Sequence, residues 1–129
     1  MTNCTFDAYI AIPYSSPYDW VREYRFRLAT EYAKILVECG LNPISPITHS
    51  HPMTQHGLKG DWGTWEEIDR RIIPACEELH IITCDGWDKS TGLGKEKDIF
   101  YESNKTIKYV NPISFAVYYI NDSTEIASA

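Results

Sequence analysis

The residues best suited to chemistry sit in one stretch, Asp85-Gly86-Trp87-Asp88-Lys89-Ser90-Thr91-Gly92-Leu93-Gly94-Lys95-Glu96. It follows the apolar run Leu79 to Cys84 and opens a polar stretch of helical character, so it reads as a strand-to-helix turn. In an open α/β sheet, turns at the carboxyl ends of strands are where ligands bind. Gly92 and Gly94 let the backbone approach a ligand closely, and the Ser90 hydroxyl can donate and accept. Amides of the first helical turn can hold an anion such as phosphate. Glu96, about one turn inside the helix, can point back at that ligand, and a carboxylate there is a candidate nucleophile. Each of these residues also has a plain structural use. Ser and Thr cap helices, and an early Glu favours the positive end of the helix dipole. Alone, the stretch reads more readily as a well-capped turn than as an active site.

Such a turn needs a sheet to hold it, and the chain carries the pattern for one. Asp7 to Ile12 reads as a first strand buried on both faces. The turn Pro13-Tyr14-Ser15-Ser16-Pro17 then lies at the same sheet edge as the Ser90 loop. Asp19 is predicted to cap a helix running to about Cys39, with Val21, Phe26, Ala29, Ala33, Leu36 and Val37 near helical spacing. Gly40 is its natural C′ residue. Leu41 to Ile44 reads as a short second strand, and Ser45 to Gly63 as a long loop of the kind that serves as a lid or binding loop. Trp62 and Trp65 lead into a helix predicted from Trp65 to Glu78, kinked by Pro74, with Ile68, Ile72, Ala75, Cys76 and Leu79 as its buried stripe. After the 79–84 strand come a helix from about Leu93 to Ser103, a strand over Thr106 to Val110 and a fifth over Ser114 to Ile120. The tail from Asn121 is polar and small and is expected to fray. This alternation predicts a single-domain α/β fold, Rossmann-like or flavodoxin-like, with an open sheet of about five mostly parallel strands and helices on both faces.

The totals set bounds. A chain of 129 residues suffices for one domain with a real core, and 43% hydrophobic and 23% charged residues are ordinary for a globular protein. A net charge of −6 argues against a general binder of polymeric nucleic acid but leaves small anionic ligands open. The longest apolar run, Ile113 to Ile120, is too short to span a bilayer, and the N-terminus has no secretory pattern. The reading is a cytoplasmic protein. Cys4, Cys39, Cys76 and Cys84 show neither C-x-x-C nor zinc spacing, and the last three fall in apolar patterns as small hydrophobes. His49 and His51 lack further ligands at useful spacing, so no metal is assigned.

Several pieces together carry a resemblance: Tyr9 to Ser15, Val21 to Phe26, Ser45 to Pro52, Asp61-Trp62, Trp65, Asp69, Ala75 to Leu79, and Asp85 to Gly92 with Glu96. Over roughly residues 7 to 111 the chain resembles the nucleoside 2-deoxyribosyltransferase-like superfamily, and within it the DUF1937-type branch. The resemblance implies a Glu nucleophile six residues after the Ser of a Ser-x-Gly turn, which here is Glu96 after Ser90. It implies an Asp at the start of the preceding helix, matched by Asp69, and a first-strand Tyr that orients the nucleophile, matched by Tyr9. Two departures stand out: Ile12-Pro13 replaces the usual glycine after the first strand, and the segment Asp85 to Lys89 is long.

The implied chemistry is cleavage of the N-glycosidic bond of a (deoxy)nucleoside or its 5′-monophosphate, by hydrolysis or base exchange, through a covalent glycosyl-Glu96 ester and without cofactor or metal. Asp69 would handle the proton of the leaving base, and Tyr9 would hold Glu96. Asp85 and Asp88 are candidates for sugar hydroxyls, and Ser90 for the sugar or a 5′-phosphate. Ser15, Ser16, Arg22 and Arg25 could replace the missing glycine-rich phosphate loop, Tyr14 and His51 could contact substrate, and Trp62, Trp65 or Trp87 could stack on the base. By residue type alone Tyr9 and the tryptophans are as well explained by a core, and Arg22 by a solvated helix face. A glycohydrolase acting on NAD or ADP-ribose, and a non-catalytic protein that sequesters or senses a small nucleotide, are the alternatives. Relatives of this kind assemble as homo-oligomers that complete the pocket with a neighbour's side chain, so a dimer or larger is implied here.

Overall fold

The computed structural model describes residues 4–58 and 62–120, without the side chains of Trp62 and Thr64. Strand β1 (Phe6–Ala11) leads to helix α1 (Asp19–Glu38), then β2 (Pro43–Ile44), α2 (Pro46–Thr54), α3 (Trp62–Ile72), β3 (Cys76–Ile82), α4 (Thr91–Glu102), β4 (Thr106–Val110) and β5 (Val117–Tyr118). The sheet order is β2-β1-β3-β4-β5, with β5 alone antiparallel, at the edge. This is the mostly parallel α/β sheet that the alternation predicts, in a flavodoxin-like order. Among the described residues no helix is long and apolar enough to cross a membrane. The expected frayed tail, Asn121 to Ala129, lies outside the described residues.

Period-two alternation along β1 decides which side chains meet. Ala8, Ile10 and Ile12 pack with Ala29, Tyr32 and Leu36 of α1. Tyr9 and Ala11 turn to the opposite face, against Ile73, Leu79, Leu93 and Phe100. Tyr9, in register with Leu79, is thereby aimed toward α4.

Helix α1 begins one residue off the predicted cap. Tyr18 occupies the N-cap position without a side-chain cap bond, and Asp19 is the first helical residue, paired with Arg22. Its C-terminus is as expected. Gly40, at φ 85°, sends its N–H to the Val37 carbonyl while Leu41 N–H reaches Leu36, which closes the last turn. Val37 and Cys39 are exposed, because Tyr32 rather than Val37 completes the buried stripe with Ala29 and Leu36.

Two expectations are corrected. The predicted loop from Ser45 to Gly63 contains α2. Ser45 at its N-cap position and Pro46 at its first position are a helix start. Pro52 inside it, which removes one backbone bond, hid the signal. The predicted helix from Trp65 to Glu78 instead starts at Trp62 and ends at Ile72 in a 3₁₀ turn, Ile73–Ala75, and Cys76 to Glu78 belong to β3. Pro74 thus stops the helix rather than kinking it. Lys105 Nζ donates to the carbonyls of Ile73, Pro74 and Cys76, satisfying groups the broken helix leaves open. Ile68, assigned to the stripe, is 46% exposed, and Ile73 is buried in its stead.

Candidate active site

The strand order reverses at β1, where β2 and β3 lie on opposite sides of it. A crevice at the carboxyl ends of the strands is expected there. A cavity of about 70 Å³ lies at that place, lined by Ile10 to Ile12, Tyr14, Ser15, Trp65, Asp69, Ser90, Gly92 and Glu96, with Pro46 and Ile47 closing it from α2.

Three elements supply the polar groups at and beside it. On α4, Leu93, Glu96 and Phe100 follow helical spacing and are all buried, so Glu96 occupies the apolar face and is only 7% exposed. On α3, Trp65 and Asp69 lie one turn apart, both buried, with Asp69 in the last turn of the helix rather than at its start. On β1, the fully buried Tyr9 donates its hydroxyl to Glu96 Oε2. Residues 87 apart in sequence are joined by that bond.

Burial dominates the electrostatics. It raises the Glu96 carboxyl from 4.5 to about 8; the Tyr9 hydrogen bond opposes the rise and the Asp69 charge adds to it. Burial likewise raises Asp69 from 3.8 to about 6, opposed by a hydrogen bond from Tyr9. Burial and both carboxylates push the Tyr9 phenol well above its ordinary range, so it stays a donor. Both carboxyl groups are thus held toward their protonated forms, and two like charges this close disfavour double ionisation. Such a set can present a carboxylate to an electron-poor carbon and a proton to a departing group.

Ser90 answers both of its readings. Its Oγ caps α4 by accepting from Leu93 N–H at 3.3 Å, and the residue also lines the cavity. Tyr14 and Ser15 also line two further clefts, one of about 380 Å³ bordered by Arg25, Lys89, Ser90 and Thr91, and one of about 940 Å³ bordered by Trp20, Arg22, Glu23 and His51.

Other sequence candidates lie elsewhere. Trp87 packs edge-on against Tyr109, with ring centroids 5.5 Å apart. Asp85 and Asp88 are exposed on the turn, outside the chamber lining, and Asp85 serves through its carbonyl, which accepts from Arg25 Nη2 at 3.0 Å. Gly94 lies inside α4 with open space where a Cβ would sit, so no close approach requires it. Arg22 is engaged by Asp19 and the Ser16 carbonyl. The Trp62 side chain is outside the described residues. The sequence reading passed over Glu23, Pro46, Ile47 and Leu93. Only the Ser-Pro helix start announced the second and third of these.

The loops after β1 and β3 are tied by Arg25, which donates to the carbonyls of Ser15 (3.1 Å) and Asp85 (3.0 Å). Gly86, at φ 90°, lies under this bridge, and a Cβ there would meet Arg25 Nη2 at 3.3 Å. Gly86→Ala is expected to cost about 1–2 kcal/mol from left-handed strain. Urea unfolding measures it, and an unchanged midpoint would show that the turn relaxes freely.

The family described as "Domain of unknown function (DUF1937)" matches residues 7–111. No curated protein matches the chain.

Proposed function

The chain belongs to the DUF1937 family, and from that footing we propose that it cleaves the N-glycosidic bond of a nucleoside or nucleoside 5′-monophosphate. The observation that carries the reading is that Glu96 and Asp69, both buried, line one chamber at the sheet's switch point while the fully buried Tyr9 donates to Glu96. The resemblance to the nucleoside 2-deoxyribosyltransferase-like superfamily supplies the roles. The chamber is too small for a whole nucleoside, so the reacting part of the sugar enters it and the rest extends into the larger clefts. The basic residues Arg25 and Lys89 beside the α4 N-terminus suit a 5′-phosphate.

In the resting pair the shared proton favours Glu96, whose carboxyl is the more strongly raised. The reactive arrangement is the other one, with the proton on Asp69 and Glu96 ionised and accepting from Tyr9. The Glu96 oxygen then bonds to the anomeric carbon as the carbon–nitrogen bond breaks. The bonding pair leaves with the base, and the base takes the proton from Asp69. Water or a second base attacks the ester from the vacated face, its proton returns to Asp69, and configuration is retained. Assembly of copies that completes the pocket belongs to the same reading. The 940 Å³ cleft favours one alternative, a glycohydrolase for a larger nucleotide such as NAD.

The test incubates wild type and Glu96→Ala with nucleosides, 2′-deoxynucleosides, their 5′-monophosphates and NAD, and follows free base by chromatography with and without an acceptor base. Base release confined to wild type is expected; release that survives in the variant would sink the reading. The rate should also be bell-shaped in pH, because activity needs one carboxylate and one carboxylic acid. It should fall below about 6, where both are protonated, and above about 8, where the last proton leaves. A profile flat from pH 5 to 9 would exclude the shared proton.

A further inference from the structure

Tyr14 borders the chamber and both of its adjoining clefts. Its hydroxyl lies 2.6 Å from Nδ1 of His51, whose Nε2 lies 3.0 Å from Glu23 Oε1. His51 is 4% exposed, with Phe26 stacked on its ring at 4.5 Å and Tyr14 meeting it edge-on at 5.6 Å. The other Glu23 oxygen accepts from Arg27 Nε at 3.0 Å, which fixes the carboxylate.

The chain of bonds has one consistent direction in the neutral ring. An ionised carboxylate only accepts, so Nε2 carries the ring proton and Nδ1 is the acceptor. The Tyr14 hydroxyl must then spend its proton on Nδ1. Among the described residues nothing donates to the Tyr14 oxygen, so its lone pairs remain for something in the clefts. The same constellation occurs a second time, as Tyr32–His80–Glu78 with Lys108 on the carboxylate. There Tyr32 is 1% exposed and stacked on Phe115, and the set clamps α1 to β3. Of the two, it is Tyr14 that lines the cavities described above.

We propose that Tyr14 is a specificity-determining acceptor, locked in that role by His51 and Glu23, that reads a hydroxyl or amino donor on the ligand of this site. The inference rests on the nucleoside reading for the choice of ligand. The donor is either a sugar hydroxyl or an exocyclic amine of the base. Groups that can only accept, such as a carbonyl, meet a lone pair and are disfavoured. His51 and Glu23 are positioning residues, since they act on the ligand only through Tyr14.

The experiment measures dissociation constants by calorimetry on a Glu96→Gln background, so that no probe is consumed. Adenosine is compared with 2′-deoxyadenosine and 3′-deoxyadenosine to test the hydroxyls, and with inosine to test amine against carbonyl. One of these pairs should differ by about tenfold to hundredfold in favour of the donor. Adding Tyr14→Phe should collapse that preference to within about twofold by weakening only the donor-bearing probe. Adding Glu23→Gln, at an exposed carboxylate, should erode the same preference, because an amide can donate to Nε2 and turn the whole chain of bonds around. Equal affinity across every pair, or a preference that survives Tyr14→Phe, overturns this inference and leaves the nucleoside reading standing. Binding of none of the four probes overturns this inference, and base release by wild type in the turnover test decides separately whether the nucleoside reading falls with it.

Discussion

Glu96→Gln is expected to abolish turnover and, at alkaline pH, to make the fold more stable. Loss of the nucleophile should reduce the rate by about 10⁴-fold or more. The stability gain follows from the direction of the shift. In the unfolded chain the carboxyl titrates near 4.5, and in the folded chain near 8. A raised group favours folding fully below its unfolded value, and that contribution is lost as pH climbs through the folded value. Wild type should therefore lose stability between about pH 4.5 and pH 8, whereas the amide has nothing to ionise. At pH 9 the difference should be on the order of 3–5 kcal/mol, and near pH 4 it should vanish. Thermal melts of both proteins at pH 4 and pH 9 decide the matter. An equal offset at the two pH values would mean that Glu96 ionises as readily folded as unfolded.

Asp69→Asn should cut the rate by about 10²- to 10⁴-fold on substrates whose leaving base needs a proton. The more telling outcome lies in how the loss depends on conditions. With a leaving group stable as an anion, such as a nitrophenolate on the same sugar, proton donation is dispensable and most of the loss should disappear. The pH profile should change form as well. With one carboxyl left, only the ionisation of Glu96 limits the rate, so the alkaline limb is lost and the acid limb remains. That limb then reports Glu96 itself and should lie below about 8, because Asp69's charge no longer adds to the rise that burial causes. A variant equally slow on both leaving groups, with its bell intact, would assign Asp69 a packing role beside Trp65.

Local patterns accounted for much of the fold. Thr106–Val110 was legible from its β-rich run, and the end of α1 from Gly40, since only a residue free of a Cβ sits easily at φ 85°. The start of α4 was legible because Ser90 offers an oxygen to an otherwise unpaired amide. The misreadings lie where two local preferences compete. Residues 73–78 continue an amphipathic helical spacing, and pairing of Cys76 with Phe6 and Glu78 with Ala8 pulls the last three of them into the sheet. Ser45 to Thr54 has a helix start and an internal proline, and packing of α2 against α1, through Thr30 and Thr48 at 2.8 Å, decides for the helix.

The sequence by itself determined that the chain is α/β with a strand-to-helix turn at Ser90. Periodicity and capping are set within a few residues, and they act wherever the chain later goes. It also offered Glu96 from its place after the Ser90 turn, but Asp69 and Tyr9 only through resemblance, because nothing in their spacing links a first-strand phenol to acids on two later helices. The tertiary structure alone decided that Glu96 and Asp69 line one chamber and that Tyr9 bonds to Glu96. Parallel crossovers bring the ends of β1 and β3 side by side and lay α4 over them. It alone decided their protonation too, since the removal of water that raises both carboxyl groups is a property of the packed core. The Tyr14–His51–Glu23 chain has the same origin: a loop, a helix and a second helix meet only once the sheet is built.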